Sequence, residues 1–421
     1  MNILLVGGGG REHALVKKLR ESPQVDIICA LPGNGGMASE ATCVDISATD
    51  LQGVTDFAKN NYVDFALVAP DDPLVMGLVD ELEAAGIPCF GPNKAAAIIE
   101  GSKAFSKALM KKYGIPTAGY EIFSDKDAAL RYLETAKMPI VIKADGLALG
   151  KGVIIAQTLE EAQNAVISMM EDGAFGESGN TIVIEEFLEG PEVTVLAFTD
   201  GKTILPLASS MDHKRALDGD EGLNTGGMGV IAPNPYYTPE IAKLCMDTIF
   251  IPTINAMNAE GRTFKGCLYF GLMLTKEGPK VIEYNCRFGD PEAQAVLPLL
   301  EADLVDIIIA TRNQTLDKIP FSVSNRASCC IIMASQGYPQ SYLKGFEIGC
   351  RGCLGSGVEV SFAGVRLEEG KLLTNGGRVL GVTAVADTLP EAIDKAYAAV
   401  GQIHFENAFY RKDIGKKALE A

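Results

Sequence analysis

Lys143-Ala144-Asp145-Gly146-Leu147-Ala148-Leu149-Gly150-Lys151-Gly152-Val153 is a glycine-rich loop with two lysines, set between β-rich runs over 140–143 and 153–156. A P-loop needs four residues between its glycines, a Ser or Thr after the lysine and a helix behind it. This stretch has three residues between Gly146 and Gly150, follows Lys151 with Gly152 and enters a strand, so it is not a P-loop. It reads instead as a hairpin flap over a polyphosphate. Glycines let the backbone close on phosphate oxygens, and Lys143 and Lys151 bring compact positive charge. The bland alternative is a polar surface hairpin.

Around the flap, residues 103–190 read as helix, strand, flap, strand, a helix over 159–170 and a strand over 181–186. Upstream, residues 1–100 alternate short apolar strands at 2–6, 25–31, 65–69 and 89–90 with helical stretches, the pattern of a parallel sheet covered by helices. Downstream, 191–312 is a larger mixed unit with strands over 268–274 and 280–285 around the turn Lys276-Glu277-Gly278. From about 327 onward, short strands, glycine turns and one amphipathic helix over 390–402 suggest a small module. The expected fold class is multidomain α/β and α+β. It comprises an N-terminal parallel-sheet α/β domain over 1–101, a central domain over 102–325 with a lid subdomain at about 118–190, and a C-terminal α+β domain over 326–421.

The 421 residues are 47% apolar, and 37 Lys and Arg stand against 54 Asp and Glu, for a formal charge of -17. Such a surface repels nucleic acid and anionic bilayers, so neither is expected as a partner; small anionic substrates are compatible with a few local cations. Residues 1–6 begin directly as a β-rich run without a basic leader or long apolar segment, from which a cytoplasmic protein is expected. Ten cysteines scattered through apolar runs read as buried thiols. Cys350 and Cys353 form a lone C-x-x-C without a second pair or a nearby His, which argues against zinc. His13, His213 and His404 are far apart; each is expected on the surface or in a loop, and no His-based triad is supported.

Several further stretches carry chemistry. Gly7-Gly8-Gly9-Gly10-Arg11-Glu12-His13 places a glycine turn between the first strand and helix, presenting backbone N–H groups to phosphate. The second strand ends in Ala30-Leu31-Pro32-Gly33-Asn34 without the acid that a dinucleotide ribose needs, which disfavours NAD. Ile182-Val183-Ile184-Glu185-Glu186-Phe187-Leu188-Glu189-Gly190-Pro191-Glu192 is a strand breaking at a hinge; its backbone can bond an adenine edge, and Glu192 can take ribose hydroxyls. In Val281-Ile282-Glu283-Tyr284-Asn285-Cys286-Arg287-Phe288-Gly289-Asp290-Pro291-Glu292-Ala293-Gln294, an extended 281–287 puts Glu283, Asn285 and Arg287 on one face. A carboxylate beside an amide oxygen suits Mg²⁺, and Arg287 suits a transferring phosphoryl group; the alternative is a self-satisfied polar pocket. Asp212-His213-Lys214-Arg215 and Asn224-Thr225-Gly226-Gly227-Met228-Gly229 read as a binding loop.

Taken together, these residues resemble the ATP-grasp superfamily, and within it the phosphoribosylamine-glycine ligases, over nearly the whole chain. Gly7 to Leu15, Gly101-Ser102-Lys103, the flap, Glu185 to Leu188, Asp212-His213-Lys214, Asn224 to Gly229 and Asn375-Gly376-Gly377-Arg378 occur in family order, and Arg287 to Gln294 resembles that family's signature. The resemblance implies an ATP-grasp fold and a ligase joining glycine to 5-phosphoribosylamine through a glycyl phosphate, with ATP and Mg²⁺, or Mn²⁺ in its place. By resemblance, ATP would be held by Lys103, Lys143, Gly146, Gly150, Lys151, Gly152, Glu185, Glu186, Leu188 and Glu192. Arg287 and Lys143 would act in catalysis, and Glu283 and Asn285 would hold the metal. Gly10, Arg11, Asp212, Lys214, Asp290 and Arg378 would bind substrate, with Arg11 and Asn375 to Arg378 as competing sites for the ribose phosphate. Many relatives carry a further metal carboxylate about a dozen residues upstream of Glu283, where this chain has Gly271. The alternatives are another ATP-grasp carboxylate–amine ligase and a catalytically dead nucleotide-binding regulator. The oligomeric state is open, with a monomer admissible.

Overall fold

The computed structural model describes residues 1–147, 152–171 and 176–421 of the chain. A five-stranded parallel sheet opens it, in the order Thr42–Cys43, Ile27–Pro32, Asn2–Gly7, Phe65–Val68, Cys89–Phe90. Leu4, Leu5 and Val6 are all fully buried, so the first strand is an unbroken apolar run, as helices on both faces require. Strand order reverses between Ile27–Pro32 and Phe65–Val68 on either side of Asn2–Gly7, which places the glycine turn at the switch point where open α/β sheets take ligands.

The strands that flank the flap belong to an antiparallel sheet ordered Tyr120–Phe123, Ile182–Glu186, Ile140–Ala144, Val153–Ala156. Helices Lys126–Leu133 and Leu159–Met170 cover it: Ala129, Leu133, Ala162 and Val166 pack on Ile140, Ile142 and Ile184. The Thr158 hydroxyl caps the second helix by accepting from Glu161 N–H, which fixes its start at the predicted position.

A second antiparallel sheet runs Ile204–Pro206, Glu192–Thr199, Gly266–Thr275, Gly278–Asn285. Gly271 faces Glu283 and Leu272 faces Val281, so Ile282 is the extra residue of a β-bulge. The simple alternation read from the sequence is therefore interrupted at Ile282, and the strand ends at Asn285, leaving Arg287 in the turn beyond it. This sheet and the N-terminal sheet share one core, in which Val68, Leu74 and Val79 join Phe250, Phe270 and Tyr284.

The last sheet orders Met211–Asp212, Gly229–Ala232, Ala327–Ser335, Arg378–Ala386, Val358–Phe362, with Ala408–Phe409 also on Ala327–Ser335. Helix Leu389–Val400 packs Ala392, Ala396 and Val400 against it. Two of its strands thus come from the middle of the chain, on either side of the predicted binding loop. Periodicity identifies a strand but not the sheet that receives it.

Of the histidines expected on the surface or in a loop, His13 departs from both, lying buried in a helix, whereas His213 is in a loop but buried. His13 is fully buried: its Nδ1 accepts from Phe362 N–H at 2.9 Å, its Nε2 lies 3.4 Å from Glu40, and its ring stacks on Phe362. His213 is buried as well, while His404 is exposed. The short polar runs around His13 and His213 look loop-like in sequence because their covers come from 349 and 202 residues away. Among the described residues all ten cysteines are free, with Cys350 and Cys353 exposed.

Candidate active site

The root of the flap faces the start of the helix Lys103–Tyr113. Ser102 caps that helix by accepting from Phe105 N–H. Asp145, in the turn entering the flap, accepts from Ala104 N–H at 3.0 Å and from the Ser102 hydroxyl at 3.1 Å. Lys103 Nζ donates to the Gly146 carbonyl at 2.6 Å, and Gly146 has φ +91°, a left-handed turn suited to glycine. Desolvation lowers the Lys103 pKa, although Glu283 pulls against it. Gly152 closes the other side of the flap's root, its carbonyl accepting from Ala144 N–H at 2.8 Å. The predicted Gly150 and Lys151 lie outside the described residues.

Lys143 is buried, with Nζ donating to the bulge carbonyl of Ile282 at 3.0 Å. Nζ also lies 3.0 Å from Glu185 Oε1, an ion pair without hydrogen-bond alignment. Lys107, one helical turn after Lys103, reaches Glu185 Oε2 at 2.8 Å and the Thr117 hydroxyl at 2.8 Å, and Thr117 donates to Val281 O at 2.7 Å. Burial lowers the Lys107 pKa to about 8 against the pull of Glu185. Sequence reasoning missed Lys107; its spacing of four from Lys103 was the available signal.

Further along, the Glu186 N–H is taken by the Gly119 carbonyl at 2.9 Å, and its carboxylate bonds Gly119 N–H and pairs with Lys280. The Glu186 N–H expected to meet adenine is therefore already taken within the chain, and Leu188 beyond it is half-buried. Glu192, at the start of its strand, lies 3.1 Å from Lys214 Nζ.

Glu283 lies 3.7 Å from Lys214 Nζ. Desolvation would raise the Glu283 pKa, but Lys214, Lys143 and Lys103 outweigh it and hold the group below its ordinary value. Its carboxylate is anionic, with Lys214 beside it and the charges of Lys143 and Lys103 acting from farther off. Asn285, oriented by its hydrogen bonds so that the amide nitrogen donates, reaches Glu100 Oε1 at 2.9 Å and Tyr284 O at 3.1 Å, which turns its oxygen to the opposite side, toward donor groups. A carboxylate and an amide oxygen fit a hard divalent cation that takes its remaining ligands from phosphates and water. Among the described residues no cluster of three or more His, Cys, Asp or Glu is placed to hold a metal. The pair is thus a thin site, and Gly271 explains part of it. A Cβ there would stand 3.0 Å from Glu283 Cγ, leaving little space for a further carboxylate while Glu283 keeps its place.

Arg287 is held by Glu100 at 3.1 Å and lies 4.0 Å from Asp71, while its buried Nε has no partner. Glu100 also accepts from Cys286 N–H at 2.7 Å, so one buried carboxylate orients Asn285, Cys286 and Arg287 together. No local pattern around Glu100 points to that role.

The predicted substrate residues gather where the N-terminal helix meets the signature. Gly10 begins the helix Gly10–Arg20, and its first turn is already bonded to carboxylates: Gly9 N–H to Glu12 at 2.7 Å and Arg11 N–H to Asp290 at 3.3 Å. The Arg11 side chain goes to Glu12 and Phe288 O. Arg378 Nη1 donates to the carbonyls of Asp290 at 2.7 Å and Gly226 at 2.8 Å, and stands 3.4 Å from the Asp290 carboxylate. Burial would raise the Asp290 pKa, yet Arg378 and Arg11 keep it low. Asp212 and Gln294 each present a buried oxygen without a partner, Asp212 Oδ1 and Gln294 Oε1. Desolvation pushes the Asp212 pKa well up, and Glu292 adds to the shift.

Comparison with known proteins follows the same order along the chain. Residues 1–100 match the family described as Phosphoribosylglycinamide synthetase, N domain; residues 101–293 match its ATP-grasp (A) domain and 328–417 its C domain. The chain belongs to the phosphoribosylglycinamide synthetase family. Phosphoribosylamine–glycine ligases of Haemophilus influenzae and Pasteurella multocida are 49% and 48% identical to it, each over 100% of this chain and 99% and 98% of their own lengths. The crystal structure of the phosphoribosylamine–glycine ligase of Thermotoga maritima superposes with a TM-score of 0.87 at 32% identity, covering 98% of this chain and 100% of that one. The fold of the phosphoribosylglycinamide synthetase family extends further. A biotin carboxylase from Campylobacter jejuni, 14% identical, shares it with a TM-score of 0.76 over 97% of this chain and 92% of its own.

Proposed function

We propose that this chain is an ATP-dependent carbon–nitrogen ligase that joins glycine to 5-phosphoribosylamine, yielding glycinamide ribonucleotide, ADP and phosphate for purine synthesis. The observation that carries the reading is the set of lysines around Glu283 and the root of the flap: Lys103 bonded to the Gly146 carbonyl, Lys143 to the Ile282 carbonyl, and Lys214 3.7 Å from Glu283. Full-length relatives named phosphoribosylamine–glycine ligase, at close to half identity, support the substrates.

A glycine carboxylate at neutral pH is a poor electrophile, and forming an amide from it directly is uphill. Transfer of the γ-phosphoryl group of ATP to that carboxylate gives glycyl phosphate; the amine of phosphoribosylamine then attacks the acyl carbon, phosphate leaves and the amine loses a proton. In this reading Lys103 and Lys143 bind the polyphosphate from both sides of the flap's root, and reduced screening there strengthens the attraction between each ammonium and phosphate. Glu185 and Lys107 keep Lys143 aimed. Glu192 takes the ribose of ATP, and Leu188 offers its backbone to adenine. Mg²⁺, or Mn²⁺ in its place, would be held by Glu283 and Asn285, supplying neutralisation of phosphate charge. Arg287, fixed by Glu100, turns toward the transferred group. The flap excludes water from the acyl phosphate.

For the ribose phosphate we favour Arg378 over Arg11. The first turn of the N-terminal helix already holds two carboxylates, and Arg11 is spent on Glu12 and Phe288 O. The hydrogen bonds of Arg378 among the described residues all run through Nη1, which leaves Nε and Nη2 for an anion. Asp212, Lys214 and Asp290 then line the space for the amine and glycine. The same proposal divides the chain near residues 101 and 325, with the lid over about 118–190, and puts the enzyme in the cytoplasm. Among the described residues no helix is long and apolar enough to cross a membrane.

ADP release measured with each substrate omitted in turn tests the function: ADP should appear only with both glycine and phosphoribosylamine present. Release independent of either would overturn it, and release with a different carboxylate would favour a related ligase.

A further inference from the structure

Lys214 sits in a loop between two strands of the last sheet, Met211–Asp212 and Gly229–Ala232. Beyond it the chain forms a small hairpin of Arg215–Leu217 and Glu221–Asn224, with the tip at Asp218–Asp220. Much of this hairpin is exposed; Leu217 and Leu223 stand about half open to solvent. A loop so placed has little core of its own to fix it.

It is held from outside by a segment almost two hundred residues later. Arg411 is 2% exposed, the largest of the fully buried side chains. Its Nε and Nη2 form a fork on Asp413, each at 2.8 Å, while Nη1 reaches Asp220 Oδ1 at 2.9 Å and the Arg215 carbonyl at 3.1 Å. Asp413 accepts in turn from Gly219 N–H at 2.8 Å, and Asp218 accepts from Lys412 N–H at 2.7 Å. Lys417 adds a contact to Asp220.

On the other side of Lys214, the imidazole of His213 bridges two backbones. Gly415 N–H donates to Nε2 at 3.1 Å, which requires a bare Nε2 and puts the ring proton on Nδ1, 3.0 Å from the Gly229 carbonyl. Gly415 adopts φ +82°, and a Cβ there would meet Ile393 and Ile231, so the residue that bonds His213 also suits glycine alone. Lys214 is thereby gripped through the residue before it and the residue after it, and its ammonium arrives 3.1 Å from Glu192 and 3.7 Å from Glu283.

We propose that residues 411–417 are a positioning strap for Lys214: Arg411 and Gly415 fix the loop backbone at Arg215 and His213, and so set the ammonium between the two carboxylates of the nucleotide site. Arg411 and His213 act through Lys214 and are positioning residues. This rests on the reading of Lys214 as part of the active site.

A double-mutant cycle tests it, with kcat/KM for ATP and the ATP dissociation constant both measured. Arg411→Gln should lower kcat/KM about tenfold in the natural background but under about twofold in a Lys214→Ala background, because a residue acting only through Lys214 has nothing left to act on. His213→Asn keeps a donor near Gly229 and loses the Gly415 bond; it should show the same non-additivity, and it serves if Arg411→Gln does not fold. Multiplicative losses in both backgrounds would mean a merely structural role and overturn the strap. Natural activity in Lys214→Ala would overturn it too, by removing Lys214 from the site. Failure of the ligase reading shows separately, in the natural protein's substrate dependence, and the cycle is then read from ATP affinity alone.

Discussion

Lys103 Nζ and the Gly146 carbonyl are joined by a 2.6 Å hydrogen bond that ties the start of a helix to the root of the flap. Asp145 completes the tie by capping the same helix from the flap side. The Lys103 ammonium and the root of the flap are therefore held against one another. Lys103→Met should lower kcat/KM for ATP about a hundredfold, since a preorganised charge against a developing phosphate charge is lost. Steady-state rates decide this, and a value within twofold of the natural protein would remove Lys103 from the polyphosphate site.

Glu283→Ala should abolish turnover while leaving the melting temperature within a few degrees, because the side chain is half-buried and its partners are cations that gain solvent. Gly271→Ala offers a graded companion. Its methyl would stand 3.0 Å from Glu283 Cγ and 3.3 Å from the Tyr269 ring, so Glu283 must shift. A loss of about tenfold in kcat is expected, as for a misplaced ligand. Full activity in Glu283→Ala contradicts the metal assignment.

Glu185 lies between two buried ammoniums, Lys107 and Lys143. Glu185→Ala should cost about 3–5 kcal/mol, the range for leaving buried charge uncompensated. With the carboxylate gone, Lys107, already lowered to about 8, should titrate lower still. Urea unfolding of the variant checks the first statement; an unchanged midpoint would show that solvent reaches both lysines.

His213 gives a pH prediction with a definite sign. Burial lowers its pKa from 6.5 to about 4, with Arg411 adding to the shift. Between these values the unfolded chain binds more protons than the folded one, so stability is complete above about 6.5 and falls as pH drops toward 4. The loss over the whole window is about 3 kcal/mol. His213→Asn should flatten that part of the stability–pH curve, and an unaltered slope would place the acid sensitivity elsewhere.

The sequence by itself determined the parts whose information is local. Helix 159–170 was legible because Thr158 caps it and its apolar residues repeat at helical spacing. The flap hairpin was legible because its glycines and lysines sit between two β runs, and the Glu283-Tyr284-Asn285 alternation put a carboxylate and an amide on one face of a strand. Only the tertiary structure decided the rest. The bulge at Ile282, which turns a carbonyl to Lys143, arises from pairing with Gly266–Thr275. The burial of His13 and His213, the role of Glu100 behind Arg287 and the grip of Arg411 on the Lys214 loop all depend on partners far away in the chain. A spacing of residues fixes which way side chains point along one element; which charges meet is set by how separate elements pack, and that contact energy is written in no single stretch of the chain.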